Sequence, residues 1–597
     1  MKVKSWVILA TCALASIWLG ACRVPPIPMR ICPTSSFGSW REGHLHAGID
    51  LSTAGRTGIP VLAIDTCWVW RLNVWNEGYG KAIYTVLDDG MVAVYGHLSR
   101  FQDLLEDMVL KEQDAAKRYE VAIYNQPWAI KFAPGDTLGY TGATGWGPAH
   151  LHFELRSGMY QHSNIDPSTY CFDLSDQTSP RIVSVRIIPL DPQSCINGIF
   201  DTVCLKPARI ETLYVQGTFG IEVCSYDRGV CGRRLAPQCF EVLVDTIKVW
   251  EIELTTFPFS RRHYSDALYC SDNSSCKGSW LIRLFDRYGL DFSGFRLFER
   301  ERGIIGDWLS PGLHELEIRV GDAWGNWSSL SIPFKYGTFP SFTDICIEED
   351  TPSLVLRVTP FPSGALARFY RVLKGKVEPL DAERTGNAFI AHIKDDDLSR
   401  FRCLLSLRDG FERECQISLV PPSEEDSLDV EVRVKSEFVE VLLTTPVPPL
   451  SLPSITIYEE TSSQSAKMKP TGYNLFRYTY KPKCDYGVLQ FSIRCHFSNR
   501  VIKAFKGILF AKVYPGRSVI IPGKLFSVAV KLPKDASIRT LVSVTEDVAP
   551  TPEGFDQCIG LLKFEPKGMF FDEPAEITIV SLRCDSLSHC GVFSRGS

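Results

Sequence analysis

Eight residues at the end of the first quarter of the chain, Pro148-Ala149-His150-Leu151-His152-Phe153-Glu154-Leu155, limit what it can fold into. In a strand, successive side chains alternate between faces, so His150, His152 and Glu154 project one way and Leu151, Phe153 and Leu155 the other. The stretch therefore predicts a strand with an apolar back and a wet face carrying two imidazoles, whose Cα atoms stand about 7 Å apart at the usual rise. Upstream, Gly43-His44-Leu45-His46-Ala47-Gly48-Ile49-Asp50 brings a histidine and a carboxylate four residues apart, and Val94-Tyr95-Gly96-His97-Leu98 brings one more histidine. The chain has only 11 histidines, yet it contains two H-x-H pairs, so chance explains the pattern poorly.

With 597 residues the chain is long enough for about four domains, each with its own hydrophobic core. A net charge of −5 leaves no basic field for nucleic acid. Aromatic content of 11%, runs of Val, Ile and Thr, and 37 prolines favour strands and turns over helices. The expected fold is mainly β.

The N-terminus has Lys2 and Lys4, then an apolar run from Trp6 to Leu19, then Leu19-Gly20-Ala21-Cys22. A charged start and a short apolar run read as an export signal over residues 1–21. A transmembrane helix is the rival reading, but it needs about 20 apolar residues, and Arg23 and a proline-rich stretch follow at once. Leu-Gly-Ala-Cys resembles a lipobox, which implies a diacylglycerol on Cys22 and anchoring to a membrane. Residues 22–36, with Pro25, Pro26, Pro28 and Pro33, then form a linker.

Setting aside Cys12 and Cys22 leaves eighteen of the 20 cysteines, an even number that favours disulfides in an exported chain. The close pairs Cys195/Cys204, Cys224/Cys231, Cys270/Cys276, Cys403/Cys415, Cys484/Cys495 and Cys584/Cys590 could each clip a hairpin, although spacing alone does not fix the pairing. No C-x-x-C occurs, which argues against a zinc ribbon.

Gly58 to Ile64, Cys67 to Leu72, Lys81 to Leu87 and Met91 to His97 read as strands, with Asp88-Asp89-Gly90 as a hairpin turn. His97 would then sit at a strand end. Between Phe101 and Gly135, Leu104, Leu105, Met108, Val109 and Tyr119 predict an amphipathic helix, either packed on the sheet or walling a cleft. The glycine-rich run Gly139 to Gly147 has no following Lys-Ser/Thr pair and reads as a turn delivering the histidine strand, not as a phosphate cradle.

H-A-G-I-D, Y-G-H-L and H-L-H-F-E, in that order and at that spacing, resemble the lysostaphin/LytM-type zinc endopeptidases that cut peptidoglycan peptides. The resemblance spans residues 37–172. It implies an antiparallel β-sheet domain with one Zn2+ held by His46, Asp50 and His152. It further implies that His97 and His150 serve the chemistry, either taking the proton of water or stabilising an oxyanion. Ala149, between Pro148 and His150, departs from the usual pattern. By the same resemblance Glu154 is structural, orienting a ligand or loop. His44 fits a solvent-exposed loop better than a supporting hydrogen bond, and His162, His263, His314, His392, His496 and His589 stand apart.

From Arg181 onward the text alternates strands and turns, as in Glu315-Leu316-Glu317-Ile318-Arg319-Val320 followed by the turn Gly321-Asp322-Ala323-Trp324-Gly325-Asn326. This combination resembles immunoglobulin-like sandwich modules. The expected divisions are such a sandwich at 180–336, then β domains at 340–425, 428–512 and 513–597. The expected function is a lipid-anchored endopeptidase of the cell envelope acting on peptidoglycan peptides, with the β modules available to an envelope protein. The competing class is an inactive relative that binds cell wall or activates another hydrolase; metal content separates the two.

Overall fold

The computed structural model describes residues 24–160, 162–169, 176–270, 276–350, 353–373, 376–393, 400–435, 437–460, 462–522, 526–532, 540–547, 561–565 and 576–581. The export signal, Cys22, Cys584, Cys590 and His589 lie outside these residues. The fold is mainly β, an antiparallel N-terminal sheet followed by further sheets. Among the described residues no helix is long and apolar enough to cross a membrane.

In the first sheet the order runs Pro33–Ser35, Ile49–Ser52, His150–Arg156, Val92–Phe101, Lys81–Leu87, Cys67–Val74, Lys131–Phe132. His150–Arg156 is central, and its register sets His152 opposite Asp50 on one side and Gly96 on the other. The three histidine motifs thus occupy three adjacent strands. Leu151, Phe153 and Leu155 are fully buried in the core beneath, each contributing about 1.5–3 kcal/mol by leaving water. The opposite face is less wet than the alternation predicts: His152 and Glu154 are buried too, and only His150 keeps partial exposure. Tyr79 and Arg156 cover that face by bonding to Glu154.

His97 does not end its strand, which continues to Phe101. Instead His97 adopts a left-handed conformation, φ 60°, within a stretch where the pairing with Lys81–Leu87 shifts register. Such a bulge re-aims one side chain without terminating the ladder.

The expected helix is Asp103–Ala116, capped by the Gln102 side chain and ended by left-handed Lys117. Leu105 and Val109, one turn apart, are buried while Leu104 is exposed. The helix packs beside Val92–Phe101 and Val121–Tyr124, and Lys81 pairs with its Glu106 at 2.7 Å.

Beyond the first sheet, a five-stranded sheet centred on Arg181–Pro189 and Phe219–Arg228 faces a seven-stranded sheet containing Cys239–Val244, Gly312–Gly321 and Trp327–Tyr336. Val185, Ile221 and Val223 meet Phe240, Ile318 and Phe334 in their shared core. That core is continuous with the core of the first sheet. Thr256–Pro258 pairs with Ser163–Ile165, and the Phe37 and Phe257 rings lie 4.9 Å apart. Two four-stranded sheets follow within residues 341–418, then a four-stranded and a six-stranded sheet, then a three-stranded sheet ending at Glu576–Ser581.

Among the described residues the disulfides form between none of the close pairs. Cys32 bonds Cys231 and Cys224 bonds Cys276. Cys231 lies in the loop after Phe219–Arg228 and reaches the chain ahead of the first sheet. Cys224 is inside that strand and reaches the segment leading to its neighbour, Trp280–Arg283. Cys270, Cys195, Cys204, Cys403, Cys415, Cys484 and Cys495 remain thiols. Cys195 and Cys204 sit on different sheets, and Cys484 lies ahead of the strand Tyr486–His496 whereas Cys495 lies near its far end. The Cys32–Cys231 bond spans a sequence separation of 199. Replacing both residues by serine is expected to destabilise the N-terminal half by about 2–5 kcal/mol, read as a lowered first transition in scanning calorimetry. An unchanged transition would show that the shared core alone holds the two parts together.

Candidate metal centre

His46 lies in the turn between His44–Leu45 and Ile49–Ser52. Gly48 completes the turn, and a Cβ there would lie 2.3 Å from the Phe153 carbonyl oxygen, so only glycine lets the turn rest on the central strand. Asp50 then falls opposite His152.

Hydrogen bonds settle which atoms face inward. A backbone carbonyl can only accept, so His46 Nδ1, 2.9 Å from the Ser36 carbonyl, carries the proton and Nε2 presents its lone pair. His152 is the reverse: Nε2 donates to Glu154 at 2.8 Å, leaving Nδ1. Arg41 binds Asp50 Oδ2 at 3.0 Å, leaving Oδ1. His46 Nε2 lies 3.2 Å from His152 Nδ1 and 3.1 Å from Asp50 Oδ1, and His152 Nδ1 lies 3.0 Å from Asp50 Oδ1.

Three lone pairs at such separations repel unless a proton or a cation lies among them. Ligands at about 2.0–2.1 Å from a tetrahedral zinc ion are about 3.3 Å apart, so the triangle fits one face of that tetrahedron and leaves a fourth corner. Two imidazoles and a carboxylate suit zinc better than calcium or magnesium.

Two further histidines border the triangle. His150 Nε2 stands 3.5 Å from Asp50 Oδ1, and its Nδ1 donates to the Pro148 carbonyl at 2.6 Å. His97 Nδ1 donates to the Thr144 carbonyl at 2.8 Å, and the rings of His97 and His150 are 4.5 Å apart. Both rings therefore keep Nε2 free of a backbone partner. The glycine-rich turn delivers His150, as expected, and also positions His97 through Thr144.

Charge in the site is tightly coupled. Burial opposes ionisation of Asp50, but the attraction of His46 and hydrogen bonds from His150, His152 and His46 hold its carboxyl well below the usual range. Burial lowers His46. It also lowers His97, to about 4, with help from His152 and His150. For His152, burial is outweighed by Asp50 and Glu154, which push it up to about 9. His150 is also raised, its bond to Asp50 overcoming burial. Glu154 is lowered, burial yielding to Arg156 and His152.

The structure thus brings His46, Asp50, His152, His97 and His150 together. His44 is exposed and bonds the Glu42 carbonyl. His314 lies apart from this group and pairs with Asp245 at 2.6 Å. Sequence reasoning missed Arg41, Tyr79, Thr144 and Arg156, which hold the site from loops and neighbouring strands. No spacing pattern marks them.

No protein-family model and no curated protein matches the chain. Among solved structures, the catalytic domain of the prophage-encoded M23 protein EnpA from Enterococcus faecalis is 24% identical, over 25% of this chain and 98% of that one, at a TM-score of 0.19. LytM from Ruminococcus gnavus, named as a glycyl-glycine endopeptidase, is 21% identical over 25% of this chain and 58% of that one, at 0.18. A chain of the SpoIIQ–SpoIIIAH pore-forming complex is 18% identical over 25% and 90%, also at 0.18. At scores this low the likenesses add nothing to the side-chain geometry.

Proposed function

We propose that the chain is a zinc-dependent endopeptidase acting on peptide stems or cross-links of bacterial peptidoglycan. The observation that carries this reading is the triangle of His46 Nε2, His152 Nδ1 and Asp50 Oδ1, 3.0–3.2 Å on a side, with two more imidazoles at its border. The order of the H-A-G-I-D, Y-G-H-L and H-L-H-F-E motifs supports the substrate class.

His46, Asp50 and His152 would hold the ion. When bound, zinc supplies Lewis acidity, polarising a carbonyl and acidifying water. His97, neutral at physiological pH, accepts the proton of the attacking water at Nε2. His150, which Asp50 biases towards protonation, donates from Nε2 to the developing oxyanion. Glu154 fixes the His152 tautomer. Export, a lipid on Cys22 and a role for the β modules in reaching an envelope partner belong to the same proposal.

The direct test incubates the mature chain with isolated cell wall and maps released peptides by mass spectrometry. Cleavage should require zinc, stop with chelator and be absent from His152→Ala. Metal-free protein that still binds cell wall would favour a regulator.

Zinc uptake should also be proton-coupled. Because the pKa of His152 is raised to about 9, its proton is held at neutral pH and must leave before Nδ1 can bind metal. Affinity should therefore rise about tenfold per pH unit from 7 towards 9, with about one proton released per zinc at pH 7. Titration calorimetry in buffers of different ionisation heat measures this release, and buffer-independent heats would contradict it.

A further inference from the structure

A second group of acidic side chains lies outside the histidine site. Asp176, Asp227 and Asp322 each offer a carboxylate oxygen, and these oxygens all lie within 4.8 Å of one another. The three residues are 9%, 2% and 3% exposed. Asp176 lies ahead of Arg181–Pro189, Asp227 sits near the end of Phe219–Arg228, and Asp322 opens the turn between Gly312–Gly321 and Trp327–Tyr336. They come from both sheets of the first sandwich and from the segment that enters it.

Much of the bonding capacity is used to shape the cluster. Asp322 Oδ1 accepts the backbone N–H groups of Trp324 and Asn326, each at 2.9 Å. The Asn326 amide donates to Asp322 Oδ2 at 2.7 Å and to the Asp176 carbonyl at 2.8 Å. Asp227 Oδ1 accepts Arg228 N–H at 2.7 Å. Asp176 Oδ1 accepts Thr178 N–H at 2.9 Å, but its buried Oδ2 has no hydrogen-bond partner.

An orphaned, buried carboxylate oxygen beside two more carboxylates costs several kcal/mol per charge unless something positive joins it. Nothing within the described residues does. No ion pair there reaches any of the three, and only repulsive carboxylates act on Asp227 alongside burial and one backbone bond.

We propose that Asp176, Asp227 and Asp322 form a calcium site that fastens the segment entering the first sandwich to the ends of its strands. An all-oxygen, acidic set selects a hard cation, and calcium accepts six to eight oxygens at about 2.3–2.6 Å in flexible geometry. Two oxygens on one calcium can lie up to about 5 Å apart, whereas on magnesium the limit is about 4 Å, so the spread of this group suits the larger ion. Backbone carbonyls or water would complete the shell. With burial, Asp176 and Asp322 together raising Asp227 to about 7, a divalent ion would also relieve the repulsion that otherwise favours a retained proton.

The test uses the mature chain loaded with zinc, stripped of calcium, and titrated with calcium or magnesium while unfolding is followed thermally. Calcium should raise Tm saturably, as any ligand of the folded state does, and magnesium at equal concentration should do much less. Terbium should give luminescence excited through tryptophan, Trp324 being two residues from Asp322, and calcium should quench it by displacement. Asp176→Asn is the least disruptive variant, since it keeps an acceptor for Thr178 and removes charge only at the orphaned oxygen. Asp176→Asn and Asp227→Asn should each weaken calcium binding tenfold or more without changing zinc content. The proposal is overturned if calcium leaves Tm unchanged, or if both variants respond as the parent does. It is equally overturned if the variants are more stable than the parent without calcium while calcium has no effect, the signature of carboxyls sharing protons.

Discussion

Replacing His97 with asparagine is expected to lower cell-wall peptide cleavage by about 10²–10⁴-fold while leaving one zinc ion bound per chain. His97 donates Nδ1–H to Thr144 and borders the triangle without belonging to it. On the proposed mechanism its removal would take away an acceptor for the proton of water, not a ligand. Asparagine is the appropriate replacement because residue 97 has φ 60°, a conformation that asparagine tolerates better than alanine. Its amide can also keep a bond to the Thr144 carbonyl. His152→Ala should by contrast lose both zinc and activity. The comparison is made on protein assayed for metal content and for kcat in parallel. Activity within a few-fold of the parent for His97→Asn would remove His97 from the chemistry, and loss of zinc in that variant would make it a structural support.

The site was legible in the sequence to the extent that strand alternation and register could be read from it. His150, His152 and Glu154 share a face because a strand has period two, and three motifs converge because each occupies one of three neighbouring strands. What decides tautomers was not legible. Ser36 offers a backbone oxygen, Thr144 does the same from a loop, and Arg41 comes from a two-residue strand. None of these carries a residue-type signature, because a carbonyl is common to every residue. Cysteine pairing is not legible for a related reason. Proximity in sequence favours hairpin clips, whereas Cys32 and Cys231 meet only because the first sandwich folds back on the N-terminal sheet. Gly321 to Asn326 reads as a turn from sequence, but its link to Asp176 and Asp227 depends on how two sheets stack, which alternation cannot convey.

The same dependence on buried partners makes Glu154 the position where stability and metal affinity should fall together. Glu154 is fully buried. Its Oε1 accepts the Tyr79 hydroxyl at 2.5 Å and His152 Nε2–H at 2.8 Å, and its Oε2 accepts Arg156 Nε at 2.7 Å. Arg156 in turn stacks over Phe259, from the segment that joins the first sandwich to the N-terminal sheet. Glutamine has one oxygen for these partners. If that oxygen serves His152 and Tyr79, its amide meets the Arg156 guanidinium donor to donor and leaves a buried cation unpaired, at a cost of about 3–5 kcal/mol. If the amide turns the other way, His152 must present its lone pair at Nε2, and Nδ1 no longer faces His46 and Asp50 unprotonated. Either arrangement weakens support for the ligand, and zinc affinity should fall about 10–100-fold in chelator competition. Combining Glu154→Gln with Arg156→Leu separates the two effects. The double variant should recover much of the lost stability in denaturant unfolding, because no cation is stranded, yet still bind zinc weakly, because His152 has lost its charged acceptor. Full recovery of both would mean that Glu154 serves only to neutralise Arg156.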